Sequence, residues 1–189
     1  MISEKIIPLL RQALPIYDRL EGKDYLIACN IRKQFPLEFY VFRIRKENFW
    51  HLLGCECLNT DGVLNAETLY DEFKRGHSVR EHLSYTSNAN GCKEKYEVFK
   101  HIFDFIEHAK ELRISKTNGT PEQYQFRMTS GNYKGIVGYD SRRTGSREDD
   151  SQENNSRGSD YLFPKTIQRK SISNVSREFM RISFILSGC

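Results

Sequence analysis

Residues 39–54 read FYVFRIRKENFWHLLG, and this stretch decides the fold. From Phe39 to Ile44 the side chains are aromatic or β-branched apart from Arg43, which suits a pleated, half-buried strand. At Lys46 the pattern changes. Glu47 to Leu53 read as a short helix, and Gly54 is a good residue to stop it. A strand feeding directly into a helix over one core is an α+β junction. The junction also gathers Arg43, Arg45, Lys46, the only Trp and His51. Cations, an aromatic ring and an imidazole are what binding and cutting a phosphodiester require. An ordinary surface helix carries the same residues.

Working outward, Tyr25, Ile27, Cys29 and Ile31 alternate with more mixed neighbours, so they predict a strand forming a hairpin with Leu37 to Arg45. Ile2 to Leu14 predicts a helix burying Ile6, Leu9, Leu10 and Ala13. Cys55 to Leu64 reads as a loop. A helix capped by Asn65 follows, burying Leu69, Tyr70 and Phe73 before Gly76. His77 to Gly91 reads as a polar loop with a short helical turn, and Lys93 to Leu112 as the longest helix. Its apolar face is Tyr96, Phe99, Ile102, Phe103, Ile106 and Ala109.

After residue 112 the period becomes two. Tyr124 to Thr129 and Tyr133 to Tyr139 predict strands joined by a turn at Ser130-Gly-Asn132. Residues 140–160 contain no aliphatic or aromatic side chain and read as a mobile surface loop. Tyr161 to Thr166 (YLFPKT) predicts a short edge strand ending at Pro164, and Met180 to Leu186 the last strand. The expectation is one α+β domain over 1–189. Its sheet is mainly antiparallel, of about four to six strands, with helices packed on one face.

The chain has 189 residues with 12 Phe and 10 Tyr, more aromatic than a disordered chain would be. Net charge is +4, unevenly spread. Residues 1–112 carry 16 Lys and Arg against 17 Asp and Glu, and residues 113–189 carry 13 against 8. The basic C-terminal part suits a polyanion as well as a solvated surface. Five cysteines without a paired framework, and no apolar run long enough to span a bilayer, lead to an expectation of reduced thiols, a cytoplasmic location and no membrane.

No Gly-rich phosphate loop, nucleophile elbow, HExxH helix or EF-hand occurs. RNA cleavage without metal or other cofactor fits the residues, because RNA carries its own nucleophile, the 2′-hydroxyl. His51 would move the proton, with Lys46 and Arg45 on the phosphate and Arg43 on the RNA strand. Lys165 and Thr166 would add a cation and a hydroxyl from across the sheet. Each has a plain structural reading too: a hydrogen-bonded helix histidine, solvated lysines, an edge strand, and Trp50 in the core. A zinc site drawing on His51, Cys55 and Cys57, completed by Cys92, His77 or His82, is the other chemistry. Its spacing matches no usual paired-cysteine pattern.

The run Phe49-Trp50-His51-Leu52-Leu53-Gly54 resembles the F-x-H-L-L-G signature of a phage-associated nuclease family with the barnase–EndoU–colicin–RelE-like (BECR) fold. The likeness extends in order and spacing over the Tyr25 to Lys46 hairpin, the long helix and the YLFPKT strand. It implies a small α+β domain with a central antiparallel sheet, encoded by a bacterial phage or mobile element. It also implies a ribonuclease, acting as an effector or toxin, with His51 in the site. RNA is then the expected partner, and an antitoxin or another phage or host protein a further candidate. The competing expectation is a non-catalytic nucleic-acid- or protein-binding module.

Overall fold

The computed structural model describes residues 1–30, 36–58, 65–116, 127–143, 160–174 and 180–188. A 3-10 turn, Glu4–Ile6, leads into α1 (Ile7–Asp18), which buries Leu10, Ala13 and Tyr17. The predicted helix stopped at Leu14, but the observed one runs through Pro15. Tertiary packing outweighs the proline. Tyr17 is fully buried, stacks on Phe103 with centroids 5.1 Å apart, and donates its hydroxyl to the Arg45 carbonyl at 2.5 Å.

Next come β1 (Asp24–Asn30), β2 (Glu38–Arg43), α2 (Asn48–Leu52), β3 (Cys55–Cys57) and α3 (Ala66–Lys74). The hairpin is present, with Ile27 opposite Tyr40 and Ala28 opposite Phe39. Asn65 caps α3 by accepting from the Thr68 N–H at 2.8 Å. Two segments read as loops contain strands. β3 pairs antiparallel with β4 (Leu83–Tyr85) in a separate two-stranded sheet, and the rest of the predicted loop at 59–64 lies outside the described residues.

The long helix is displaced from its predicted span. α4 covers Ala89–Ile102, begun by Asn88, whose side chain accepts from Gly91 N–H at 2.9 Å. It ends early because Asp104, only 6% exposed, turns the chain. Its carboxylate accepts the Ile106 and Glu107 N–H groups at 3.1 and 3.0 Å and pairs with Arg19 at 2.6 Å. Ile106, expected on the apolar face, is 48% exposed as a result.

The remaining strands are β5 (Arg113–Lys116), β6 (Met128–Gly131), β7 (Ile136–Arg143), β8 (Asp160–Gln168) and β9 (Met180–Ser187). The predicted strand start at Tyr124–Phe126 lies outside the described residues. Of the predicted loop 140–160, residues 140–143 continue β7 and residue 160 opens β8, while 144–159 lie outside the described residues.

The strand count exceeds the expected four to six. Among the described residues, seven strands close into a barrel in the order β1-β2-β8-β7-β6-β5-β9, with β9 pairing back onto β1. All contacts are antiparallel except β2 with β8, which meet in parallel where Phe42 faces Leu162. Closure comes from β9, which hydrogen-bonds both β1 and β5.

β8 is therefore no edge strand: it lies between β2 and β7. Pro164, which has no N–H to donate, is accommodated by a shift in register. Tyr139 faces Pro164, but the next residue, Gly138, faces Thr166. Lys165 is the extra residue of this bulge, a device that re-aims a side chain.

The helices pack on the barrel around an aromatic cluster. Phe49 meets Tyr17, Trp50 and Tyr70 edge-on with centroids 5.0–5.3 Å apart, and Trp50 meets Phe73 at 5.5 Å. The Trp50 indole N–H donates to the Ala66 carbonyl at 2.9 Å, tying α2 to α3. Burying each such ring contributes about 1.5–3 kcal/mol. Among the described residues, no helix is long and apolar enough to cross a membrane.

Candidate active site

From Phe49 to Gly54 every residue is buried except His51. The five-residue helix α2 spends its apolar side chains on the core and turns one imidazole outward. Gly54 ends it at φ +82°, a left-handed conformation that suits glycine. The Gly54 carbonyl accepts from the Thr86 N–H at 2.9 Å and from the Cys92 thiol at 3.3 Å, so the turn is locked to α4.

Two lysines from other elements surround His51. The Lys95 ammonium, on α4, donates to the His51 carbonyl at 3.2 Å. α2 also packs on β8, where the bulge carries Lys165. The imidazole is held below its ordinary value by partial burial first, then by Lys95 and Lys165, with Glu56 pulling the other way. It is therefore biased towards the neutral, proton-accepting form at neutral pH. Among the described residues no side chain hydrogen-bonds the imidazole. Lys165 is aimed by Asp140 of β7, whose carboxylate takes its ammonium at 2.9 Å. Thr166 follows it, half-buried and opposite Gly138.

The other predicted cations lie elsewhere. The Lys46 ammonium is bound by Asp71 of α3 at 2.8 Å. Arg43 forms a two-pronged pair with Asp24 and sits 4.2 Å from the Tyr161 ring centroid, with Arg45 at 5.6 Å on the same ring. These three line a cavity of about 300 Å³ together with the carboxylates of Glu21, Asp24 and Glu67. Glu47, next to that cavity in sequence, is pushed up by burial and by its hydrogen bond with Glu67. The structure thus brings His51 to Lys165 and not to Lys46, Arg43 or Arg45. The sequence reading missed Lys95, Asp140 and this group of acids. None carried a local signal, because each becomes relevant only when elements apart in the chain come together.

The thiols are placed as packing groups. Cys55 and Cys92 are buried with their sulfurs 4.0 Å apart, and Cys57 is half-buried. His77 pairs with Glu72, and His82 lies 3.8 Å from Glu81. Among the described residues, no three or more His, Cys, Asp or Glu side chains gather as a metal ion would need.

A family model described as phage-Barnase-EndoU-ColicinE5/D-RelE like nuclease4 matches residues 9–185. No curated protein and no solved structure gives a significant match.

Proposed function

The chain belongs to the phage-Barnase-EndoU-ColicinE5/D-RelE like nuclease4 family, and from that premise we propose that it cleaves RNA through the 2′-hydroxyl, without a metal. The observation that carries this reading is the exposed, depressed imidazole of His51 beside Lys165 and Lys95. Neutral His51 removes the 2′-hydroxyl proton. The oxyanion attacks the adjacent phosphorus, and the P–O5′ bond breaks to leave a 2′,3′-cyclic phosphate. The 5′-oxygen takes its proton from solvent. Lys165, steadied by Asp140, offsets the negative charge that grows on the phosphorane oxygens. Thr166 adds a hydroxyl to the phosphate at the same strand.

Lys46 has no part in proton transfer in this reading: bound to Asp71, it braces the junction of β2 and α2 against α3. Arg43 and Arg45 present a cationic surface over Tyr161 on which flanking RNA would rest. We infer likewise a phage or mobile-element origin, action in the cytoplasm and an inhibitor protein as partner.

The test is incubation of purified protein with total RNA in EDTA, beside His51→Ala. Wild type yields fragments ending in cyclic phosphate, and the variant loses at least a hundredfold in rate, the lower range for a general base. Equal cleavage by both, or none by the wild type, refutes the proposal.

A further inference from the structure

A second cavity, of about 590 Å³, opens where α4, the turn between β6 and β7, and the end of β8 meet. Gly135 permits this meeting. A Cβ there would collide with Val98 Cγ1 of α4 and lie 3.2 Å from the Gln168 carbonyl, so a larger residue would push α4 away from the turn. The cavity is basic. Lys93, Lys134, Arg169 and Lys170 line it, with His101. Tyr133, 77% exposed, stands at its rim with the Lys134 ammonium 5.8 Å from the ring centroid. Two glutamates share the wall, and Glu97 is already paired with Lys100 at 2.6 Å. Among the described residues no carboxylate pairs with Lys93, Lys134 or Arg169. His101 feels this crowding: burial, Lys134 and Lys100 hold its imidazole below the ordinary value.

Converging cations with an open aromatic face suit a phosphate backbone and a stacked base together. An acidic peptide would use the cations but leave the Tyr133 face idle. The location supports the strand reading as well. β8 runs from Lys165 beside His51 to Gln168, and Arg169 follows, about 13 Å from Lys165 at strand spacing. That is a span of a few nucleotides. α4 borders both places, Lys95 at the His51 site and Lys93 and His101 at the cavity.

We propose that the cleft between α4, the β6–β7 turn and the end of β8 is a subsite for single-stranded RNA. Tyr133 stacks one base, and Lys134 and Arg169 hold the backbone of a strand whose scissile bond lies at His51. The inference rests on the nuclease reading for the direction of the strand, but its binding can be tested alone.

Binding is read with a fluorescent 2′-O-methyl RNA, which lacks the attacking hydroxyl. Replacing both Lys134 and Arg169 with Ala lowers affinity at least tenfold at low salt. It also flattens the logarithmic salt dependence by about 1.4, the release expected for two single-strand phosphates. Tyr133→Ala weakens binding about tenfold with the salt dependence unchanged. In cleavage assays the cavity variants raise KM for a long oligonucleotide and leave a dinucleotide unaffected. Wild-type affinity and salt dependence in both cavity variants overturn the subsite, as does an equal loss on the dinucleotide. Should wild type cleave nothing, the nuclease reading fails, while the binding series still decides the subsite.

Discussion

Replacing Gly54 with Ala separates two costs that the fold imposes at the end of α2. The first is conformational. At φ +82° an L-residue is strained by about 1–2 kcal/mol, offset by about 0.4–1 kcal/mol because Ala also has fewer unfolded states. The second is steric. The new Cβ would lie 3.1 Å from the Cys92 sulfur and 3.4 Å from both Cys92 Cα and Lys95 Cδ. Cys92 cannot swing aside, because it is buried and its thiol is engaged by the Gly54 carbonyl. Such overpacking adds about 1–3 kcal/mol. Gly22 is the control, at φ +77° with nothing within 4 Å of its built Cβ. Gly22→Ala should cost about 0.5–1 kcal/mol and Gly54→Ala about 2–4 kcal/mol. With a urea dependence of about 1–3 kcal/mol per molar, the two midpoints should differ by about 1 M. Because the displaced atoms include Lys95, Gly54→Ala should also slow RNA cleavage in the folded protein. Equal midpoints for the two variants would show that α4 does not press on this turn, and the reasoning about the locked helix end would fall.

The pH dependence follows from the sign of the His51 shift. A histidine acting as base must be neutral, so kcat/KM should rise with pH along a limb centred below about 6.5, since His51 is held below its ordinary value. Lys165→Met removes one of the charges holding it down, so the limb should move up towards that value, and a limb that stays put or moves down contradicts the assignment. Below about pH 6.5 the unfolded chain takes up the His51 proton more readily than the folded one, so stability should decrease there as the pH is lowered. Asp104→Ala should cost about 1–2 kcal/mol in urea denaturation, having taken the capping partner from two N–H groups at a part-buried turn. Arg19→Ala should cost under about 1 kcal/mol, because that partner is 56% exposed; equal losses would mean that the ion pair, not the capping, ends α4.

The elements that could be read from sequence were those specified locally. Asn65 and the spacing of Leu69, Tyr70 and Phe73 mark α3, and the run from Phe39 to Gly54 marks β2 and α2. His51 stood out because it interrupts an otherwise apolar helix. What could not be read depends on partners distant in the chain. Pro164 argued for an edge, yet a one-residue bulge lets β8 sit inside the barrel. Arg43 and Lys46 looked available because Asp24 and Asp71, which bind them, come from other elements. Lys95 carried no signal on a helix whose pattern spoke only of its apolar face.

Barrel closure joins an early strand to the last one: Tyr25 lies opposite Ser187, 162 positions later. Until β9 is in place, β1 and β5 each present an unpaired row of backbone groups, the surface that recruits foreign strands. The chain therefore cannot complete its sheet piecemeal as it is synthesised. Contacts so far apart in sequence form slowly, because the loop must be closed before they are rewarded. His51 and Lys165 meet across the same assembly, from α2 and β8. A partly made chain that stops short of β8 would carry His51 alone, so the proposed site would wait for the parallel contact of β2 with β8.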